Sequence, residues 1–264
     1  MPLNDARDVP VISIITAIRN QLPANRLFLE SIRRYTTGPY ELIIIDNQST
    51  DGSKEFFTDA GARVIANDRN YSYPYCQNQG MEIARGEYYA FLNNDIVVCQ
   101  SWDSRLIEVM KTNNIDVITP TTNDRLESDR ATRRILRRWK RAKYPFLYLL
   151  GNRSLSLRLM FKVMYGNWDA WTQRRFAEFG MTIMEGFSGS SVIWSKKARD
   201  ILGCWDPKIQ GADFDLFRRT KERFEQTGDM RPVQVALGVY FHHFQKLTAK
   251  TKNPPFWDHR DLEK

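Results

Sequence analysis

Carboxylates, carboxamides and imidazoles stand directly beside apolar runs at four places in this 264-residue chain. Asn93-Asn94-Asp95 follows the run Tyr88 to Leu92 and precedes Ile96-Val97-Val98. A strand ending there delivers a rigidly held carboxylate suited to a divalent cation, and such a cation neutralises a diphosphate. An Asx turn closing the strand explains the same segment equally well. Asp46 ends Ile43-Ile44-Ile45 and is placed to accept from a ribose hydroxyl or a base N–H, whereas Asp51 and Ser53 in the same polar turn suit the capping of a helix. His242 and His243 close the run Val239-Tyr240-Phe241. Alternation along a strand sends them to opposite faces, so at most one reaches a crevice, where a neutral imidazole completes an aspartate-based Mn²⁺ or Mg²⁺ site. Asp213 and Asp215 open a helical segment, whose dipole they complement, and an exposed carboxylate there can deprotonate a sugar hydroxyl as a new bond forms. Neither Gly-x-Gly-x-x-Gly nor Gly-Lys-Ser/Thr occurs, so phosphate binding has to rely on a cation or on side chains.

The surrounding periodicity predicts the elements that hold these groups. Strands are expected over 11–16, 41–45, 63–65, 88–92 and 115–119, and helices over 22–35, 53–60, 72–85 and 102–111. Continuous apolar strands separated by helices imply a largely parallel sheet covered on both faces, with ligands beyond the carboxyl ends of its strands. Thr16 to Asn20, Asp46-Asn47 and Asn93 to Asp95 all fall at such ends. The rhythm breaks over 121–184, which reads as one or two helical excursions, and resumes with a strand at 191–194, helices at 196–202 and 213–225, and one or two strands over 233–241. The expected organisation is an α/β half with ligand-facing strand ends (1–120), a helical basic and aromatic insertion (121–185), a second half of the same domain (186–250) and a polar tail (251–264).

Composition excludes several classes. Apolar residues make up 42% and charged residues 27%, as in an ordinary folded globule. Three cysteines, 76, 99 and 204, form neither a disulfide framework nor a four-cysteine zinc site and suit a reducing compartment. No apolar stretch approaches bilayer length and no leader-like segment precedes the first strand, so a cytoplasmic location is expected, with peripheral contact at the inner face of a membrane. The net charge of +8 is concentrated: Arg130, Arg133, Arg134, Arg137, Arg138, Lys140, Arg141 and Lys143 occur with no acidic residue among them. That run points to a local anionic contact.

Taken in order, Val11 to Thr16, Ile45-Asp46-Asn47-x-Ser49-x-Asp51-Gly52-Ser53, Asn78-Gln79-Gly80 with Ala84-Arg85-Gly86-Glu87-Tyr88, Leu92-Asn93-Asn94-Asp95, Gly189-Ser190, Leu202-Gly203-x-Trp205-Asp206 and Asp213-Phe214-Asp215-Leu216 resemble the GT-A glycosyltransferase family 2, including its rhamnosyl- and galactosyltransferase-like members. The likeness covers residues 10–120 and 186–245. It implies an α/β GT-A fold, a mixed and mostly parallel sheet flanked by helices, and metal-dependent inverting transfer of a sugar from a nucleoside-diphosphate sugar (UDP, GDP or dTDP) to a hydroxyl of a glycan or lipid-linked acceptor.

The resemblance also implies roles. Thr16, Arg19, Asp46, Asn78, Asn94 and Asp95 fall on the donor side, Asp95 and His242 on Mn²⁺ or Mg²⁺ with His243 as the alternative in register, and Asp213 on the general base. Two departures are visible: Asn93 stands where many members carry the first acidic residue of Asp-x-Asp, and Ala212 stands where a glutamate often precedes the base. For the 130–150 segment, Ile135, Leu136 and Trp139 at near-helical spacing fit an amphipathic helix against anionic lipid, an anionic glycan, or a solvated arginine face on a core-packed helix. The competing reading is a non-catalytic polyanion-binding module; nucleic acid is disfavoured because no modular signature for it is present.

Overall fold

The computed structural model describes residues 10–209, 211–245 and 247. The expected tail at 251–264 lies outside the described residues. The chain begins with β1 (Ile12–Ile18), α1 (Leu22–Tyr35), β2 (Tyr40–Asp46), α2 (Ser53–Asp59), β3 (Arg63–Ala66), α3 (Tyr73–Ile83) and β4 (Tyr88–Leu92). After it come β5 (Ile96–Val97), α4 (Trp102–Asn113), β6 (Val117–Thr122), α5 (Asp129–Leu150), α6 (Ser154–Tyr165) and α7 (Trp168–Phe179). It closes with β7 (Ile183–Glu185), β8 (Ser191–Ser195), α8 (Lys196–Leu202), α9 (Ala212–Thr227) and β9 (Gln234–His243).

The strands form one mixed sheet in the order β3-β2-β1-β4-β8-β6-β9-β5, with β7 also on β9. β3, β2, β1 and β4 run parallel, as do β6 and β9, while β8 is antiparallel to both β4 and β6. Successive residues of the first strands supply opposite faces. Ile14, Ile44 and Ala90 join Phe28, Leu106 and Trp139 in one core, and Ile15, Ile43 and Phe91 join Met81, Ala198 and Leu216 in the other. Both faces are therefore covered, which is why these strands carry no polar alternation. The approach of α3 is close: a Cβ at Gly80 would stand 2.3 Å from Ile15 Cγ2.

The excursion between β6 and β7 consists of three helices rather than one or two. Caps define them: the Ser128 hydroxyl accepts from Ala131 N, and Asn167 Oδ1 from Ala170 N. Their inner sides pack on the β9 edge through Trp139, Tyr165 and Trp168. The short strands β5 and β7 lack any apolar run of strand length, so periodicity alone does not reveal them.

Candidate active site

Parallel pairing brings the ends of β1, β2 and β4 to one edge. Ile18 lies opposite Asp46, and Ile15 opposite Phe91, one residue before Leu92. At that edge Thr16 is fully buried, and its Oγ1, together with Nε and Nη1 of Arg19, has no hydrogen-bond partner among the described residues. Unpaired buried donors of this kind suit a polar ligand. Asp46 is also buried, and both its carboxylate oxygens face Ser49 N at 3.2–3.3 Å, which closes the turn after β2. Asp51 takes the capping alternative: its oxygens accept from Leu22 N at 2.8 Å and from Ser53 N at 3.1 Å, tying the starts of α1 and α2 together.

Two expected donor contacts are held by the protein itself. The Asn78 amide donates to Trp205 O at 2.8 Å and accepts from Trp205 N at 2.9 Å, a two-point clamp between α3 and the segment before α9. Asn94 Nδ2 donates to Asn25 Oδ1 at 2.7 Å and so anchors the turn after β4 to α1.

The antiparallel pairing of β5 with β9 sets Ile96 opposite His243 and Val97 opposite His242, and Phe244 N donates to Asp95 O at 2.9 Å. This brings His243 Nε2 to 3.2 Å from Asp95 Oδ1. On the other ring nitrogen, Nδ1 meets Asp124 Oδ2 at 2.5 Å. Asn123 holds the His243 backbone at both its N–H and its carbonyl, at 2.8 and 2.9 Å. Burial opposes a charge on His243, yet the two flanking carboxylates outweigh it and raise its pKa to about 10. Asp95 is held below the usual carboxylate range: burial pushes it up, and the His243 charge more than offsets this.

His242, the residue first expected on the metal, points the opposite way. It is fully buried among Trp139, Phe161, Tyr165 and Phe244, with Nδ1 2.8 Å from Tyr165 Oη. Burial pushes its pKa well down, helped by the charges of His243 and Lys143. The structure therefore puts His243, the alternative in register, beside Asp95.

Asn123 and Asp124 were missed by sequence reasoning. Their signal is the same as at the other strand ends, a polar turn directly after an apolar strand, here β6.

The second carboxylate reaches this edge through β8. Asn93 N donates to Ser190 O at 3.0 Å, continuing the β4–β8 pairing of Leu92 with Ser191. Next to Ser190, Gly189 lies so close to α9 that a Cβ there would stand 2.6 Å from Asp213 Oδ2. Asp213 accepts no hydrogen bond and pairs with no cation among the described residues, and burial raises its pKa from 3.8 to about 6. Asp215, two residues on, is bound to Arg218 at 2.7 Å and Arg219 at 2.8 Å and is thereby committed to structure. Ala212 sits in the second core, filling with apolar volume the place before Asp213.

Whether this donor set suits a divalent cation follows from its chemistry. Among the described residues no group of three or more His, Cys, Asp or Glu side chains could hold a metal ion, and Asp95 and Asp124 meet opposite ring nitrogens of His243. One carboxylate and one imidazole fit a Mg²⁺ or Mn²⁺ ion that draws its other ligands from a diphosphate and water, with the cation displacing the proton that His243 Nε2 holds towards Asp95.

A family model described as "Glycosyl transferase family 2" matches residues 13–177, well over half of the chain. The chain belongs to glycosyl transferase family 2. Among curated relatives, this family 2 chain is 30% identical over 115 residues to the uncharacterized glycosyltransferase EpsJ of Bacillus subtilis, covering 42% of this chain and 33% of the relative. It is 26% identical over 117 residues to the glycosyltransferase AglE of Haloferax volcanii, covering 42% and 38%. The matches thus span about a third of the length of these relatives. Among solved structures, TarS residues 1–349 of S. aureus align with a TM-score of 0.55 at 11% identity, covering 89% of this chain and 60% of that one. The mannosyltransferase PcManGT of Pyrobaculum calidifontis, determined with GDP-Man and Mn²⁺, aligns at 0.52 and 14% identity, covering 88% and 58%. These structural likenesses establish the shared GT-A fold.

Proposed function

We propose that this family 2 glycosyltransferase moves a sugar from a nucleoside-diphosphate sugar to an acceptor hydroxyl with inversion, in a single displacement that depends on Mg²⁺ or Mn²⁺. The observation that carries this reading is Asp213, a desolvated carboxylate without a partner among the described residues, held at the same sheet edge as the Asp95–His243 pair. A carboxylate whose pKa lies near 6 is ionised at neutral pH and still basic enough to accept a proton.

Asp213 takes the proton of the acceptor hydroxyl. The hydroxyl oxygen bonds to the anomeric carbon from the side opposite the leaving group, the bond from that carbon to the diphosphate oxygen breaks, and the electron pair departs with the nucleoside diphosphate. Asp95 and His243 would hold the cation, which would supply the positive charge that stabilises the departing diphosphate. Asp124 fixes the ring of His243 through Nδ1, in the manner of carboxylate–histidine pairs at metal sites. Arg19 and Thr16 face the donor with unsatisfied polar atoms, and the Asp46 turn borders it. The acceptor is a glycan or a lipid-linked saccharide. The GDP-Man and Mn²⁺ bound by PcManGT support a nucleotide-sugar donor with a cation.

Calorimetric titration with UDP, GDP, dTDP and CDP, each with Mn²⁺ and with EDTA, tests the reading. Cation-dependent binding of one nucleotide is the expected result. Absence of binding under every condition overturns it and brings the polyanion-binding module forward.

A further inference from the structure

Helix α5 carries two different sides. Its inner side is Trp139, Ala142 and Lys143, all buried. Trp139 packs edge-on against His242 at 4.4 Å between ring centroids, and Lys143 Nζ donates to Phe244 O at 2.9 Å, so α5 braces the end of the strand that bears His243. On the outer side, Arg134, Arg137, Arg138 and Arg141 are exposed and fall at three- and four-residue spacing into one stripe. None of these four is in an ion pair among the described residues, whereas Arg34, Arg63, Arg85 and Arg158 elsewhere on the surface are paired with carboxylates.

The same stripe continues into apolar residues. Tyr144 and Tyr148 follow Arg141 at helical spacing, and Tyr148 is 90% exposed. Leu149 and Leu155, the latter at the start of α6, extend this tip and are 74% and 64% exposed. Large apolar side chains left exposed together at the end of α5 and the start of α6 suit an interaction site. Among the described residues no helix is long and apolar enough to cross a membrane, so such a tip can enter only the interfacial layer.

We infer that the outer face of α5, with the first turn of α6, docks the protein onto an anionic lipid surface. The arginine row meets the headgroups and Tyr144, Tyr148, Leu149 and Leu155 enter the boundary with the acyl chains. Two signals together, basic charge and apolar insertion, give stable interfacial attachment where either alone is weak. A soluble polyanion would match the charges and leave the apolar tip in water. A second copy of the chain would set one uncompensated arginine row against another, because no acidic residue occurs from Arg130 to Leu150. The consequence for acceptor choice rests on the transferase reading above: the side of α5 opposite the lipid buttresses His243, so the site stands at the edge of the docking face and favours an acceptor anchored in the same bilayer.

Flotation of the full-length protein with vesicles tests the inference, using phosphatidylcholine alone and phosphatidylcholine mixed with phosphatidylglycerol. Nucleotide titration of the same samples reports folding and donor binding separately. The expected result is binding to the mixed vesicles only, weakened by salt. Arg134→Gln/Arg137→Gln/Arg138→Gln/Arg141→Gln should lower partitioning by about a hundredfold or more, and Tyr148→Ser/Leu149→Ser by about tenfold or more, with nucleotide affinity unchanged in both. Three outcomes overturn the inference: no flotation of the nucleotide-competent protein; flotation that Tyr148→Ser/Leu149→Ser leaves intact while heparin or RNA binds equally well, which assigns the row to a soluble polyanion; or concentration-dependent dimerisation through this face without vesicle binding. Loss of nucleotide binding with vesicle binding retained would instead count against the transferase reading alone.

Discussion

Gly189 is the wall against which the Asp213 carboxylate rests. A Cβ at residue 189 would lie 2.6 Å from Asp213 Oδ2, closer than real Cβ contacts come. Space, not backbone conformation, demands glycine here, because Gly189 is absent from the glycines at positive φ. Gly189→Ala is therefore expected to displace the carboxylate while leaving both cores intact. Transfer should fall by about a hundredfold, the scale on which a misplacement near 1 Å acts, with nucleotide affinity and melting temperature close to wild type. Steady-state kinetics with parallel calorimetry checks this, and full activity in the Gly189→Ala enzyme would remove Asp213 from the reacting atoms.

The pKa of Asp213 gives a pH dependence of defined sign. Because burial raises it to about 6, kcat/KM should climb with unit slope at acid pH and level off above about pH 6, a limb absent from the residual activity of Asp213→Asn. Stability moves the other way. Between 3.8 and about 6 the folded protein binds a proton that the unfolded chain has released, so this group's contribution falls as pH rises through that window. An asparagine in its place carries no charge to desolvate. At pH 7.5 the Asp213→Asn protein should be more stable by about 1–3 kcal/mol, read from paired denaturation curves at pH 4 and 7.5, with the gain confined to the higher pH.

The first-half strands, and the polar groups at their ends, could be read from the chain because each strand is an apolar run that ends abruptly in a side chain with chemistry. Asp46 and Asp95 stand out in that way, whereas Asp213 stands out only as a carboxylate at the start of a helical segment. What could not be read depends on pairing between distant segments. Two-residue β5 has meaning only because Ile96 and Val97 pair with His243 and His242. The phase of β9 is interrupted, since Pro120 pairs with Ala236 but Thr121 with Tyr240, leaving residues 237 to 239 without a β6 partner. Such a bulge resets which side chains face which layer, so alternation could state that the two histidines diverge and not which one turns inward. Asn78, which the resemblance places on the donor side, holds the Trp205 backbone, a partner too remote in sequence for spacing to reveal.

The two histidines should separate cleanly by experiment. His242→Phe keeps an aromatic ring among Trp139, Phe161 and Tyr165 and forfeits the hydrogen bond to Tyr165, at a cost of about 1–2 kcal/mol. Cation-dependent nucleotide binding should survive it. His243→Phe removes the imidazole beside Asp95 and is expected to weaken Mn²⁺-dependent binding by about 10–100-fold, as should Asp95→Asn, while Asp124→Asn acts more weakly through the ring it orients. Mn²⁺ titration followed by electron paramagnetic resonance resolves the series. The reverse pattern, binding lost with His242→Phe and kept with His243→Phe, would return the ligand to His242.

Asn78 offers a test in which stability and affinity part company. Its amide satisfies both backbone groups of Trp205, whose ring is buried against Phe91 at 5.2 Å and Trp194 at 4.8 Å. Asn78→Ala leaves that N–H and that carbonyl without their partner beneath a core aromatic residue. The cost is about 2–4 kcal/mol, since each unsatisfied group forfeits its hydrogen bond and retains its desolvation. For a chain of this size that lowers the melting temperature by about 5–12 °C. Nucleotide affinity, measured well below the transition, should stay within about threefold of wild type, because the amide is committed to Trp205 and not to the crevice. A tenfold loss of affinity with an unchanged melting temperature would show that the clamp opens to take a donor.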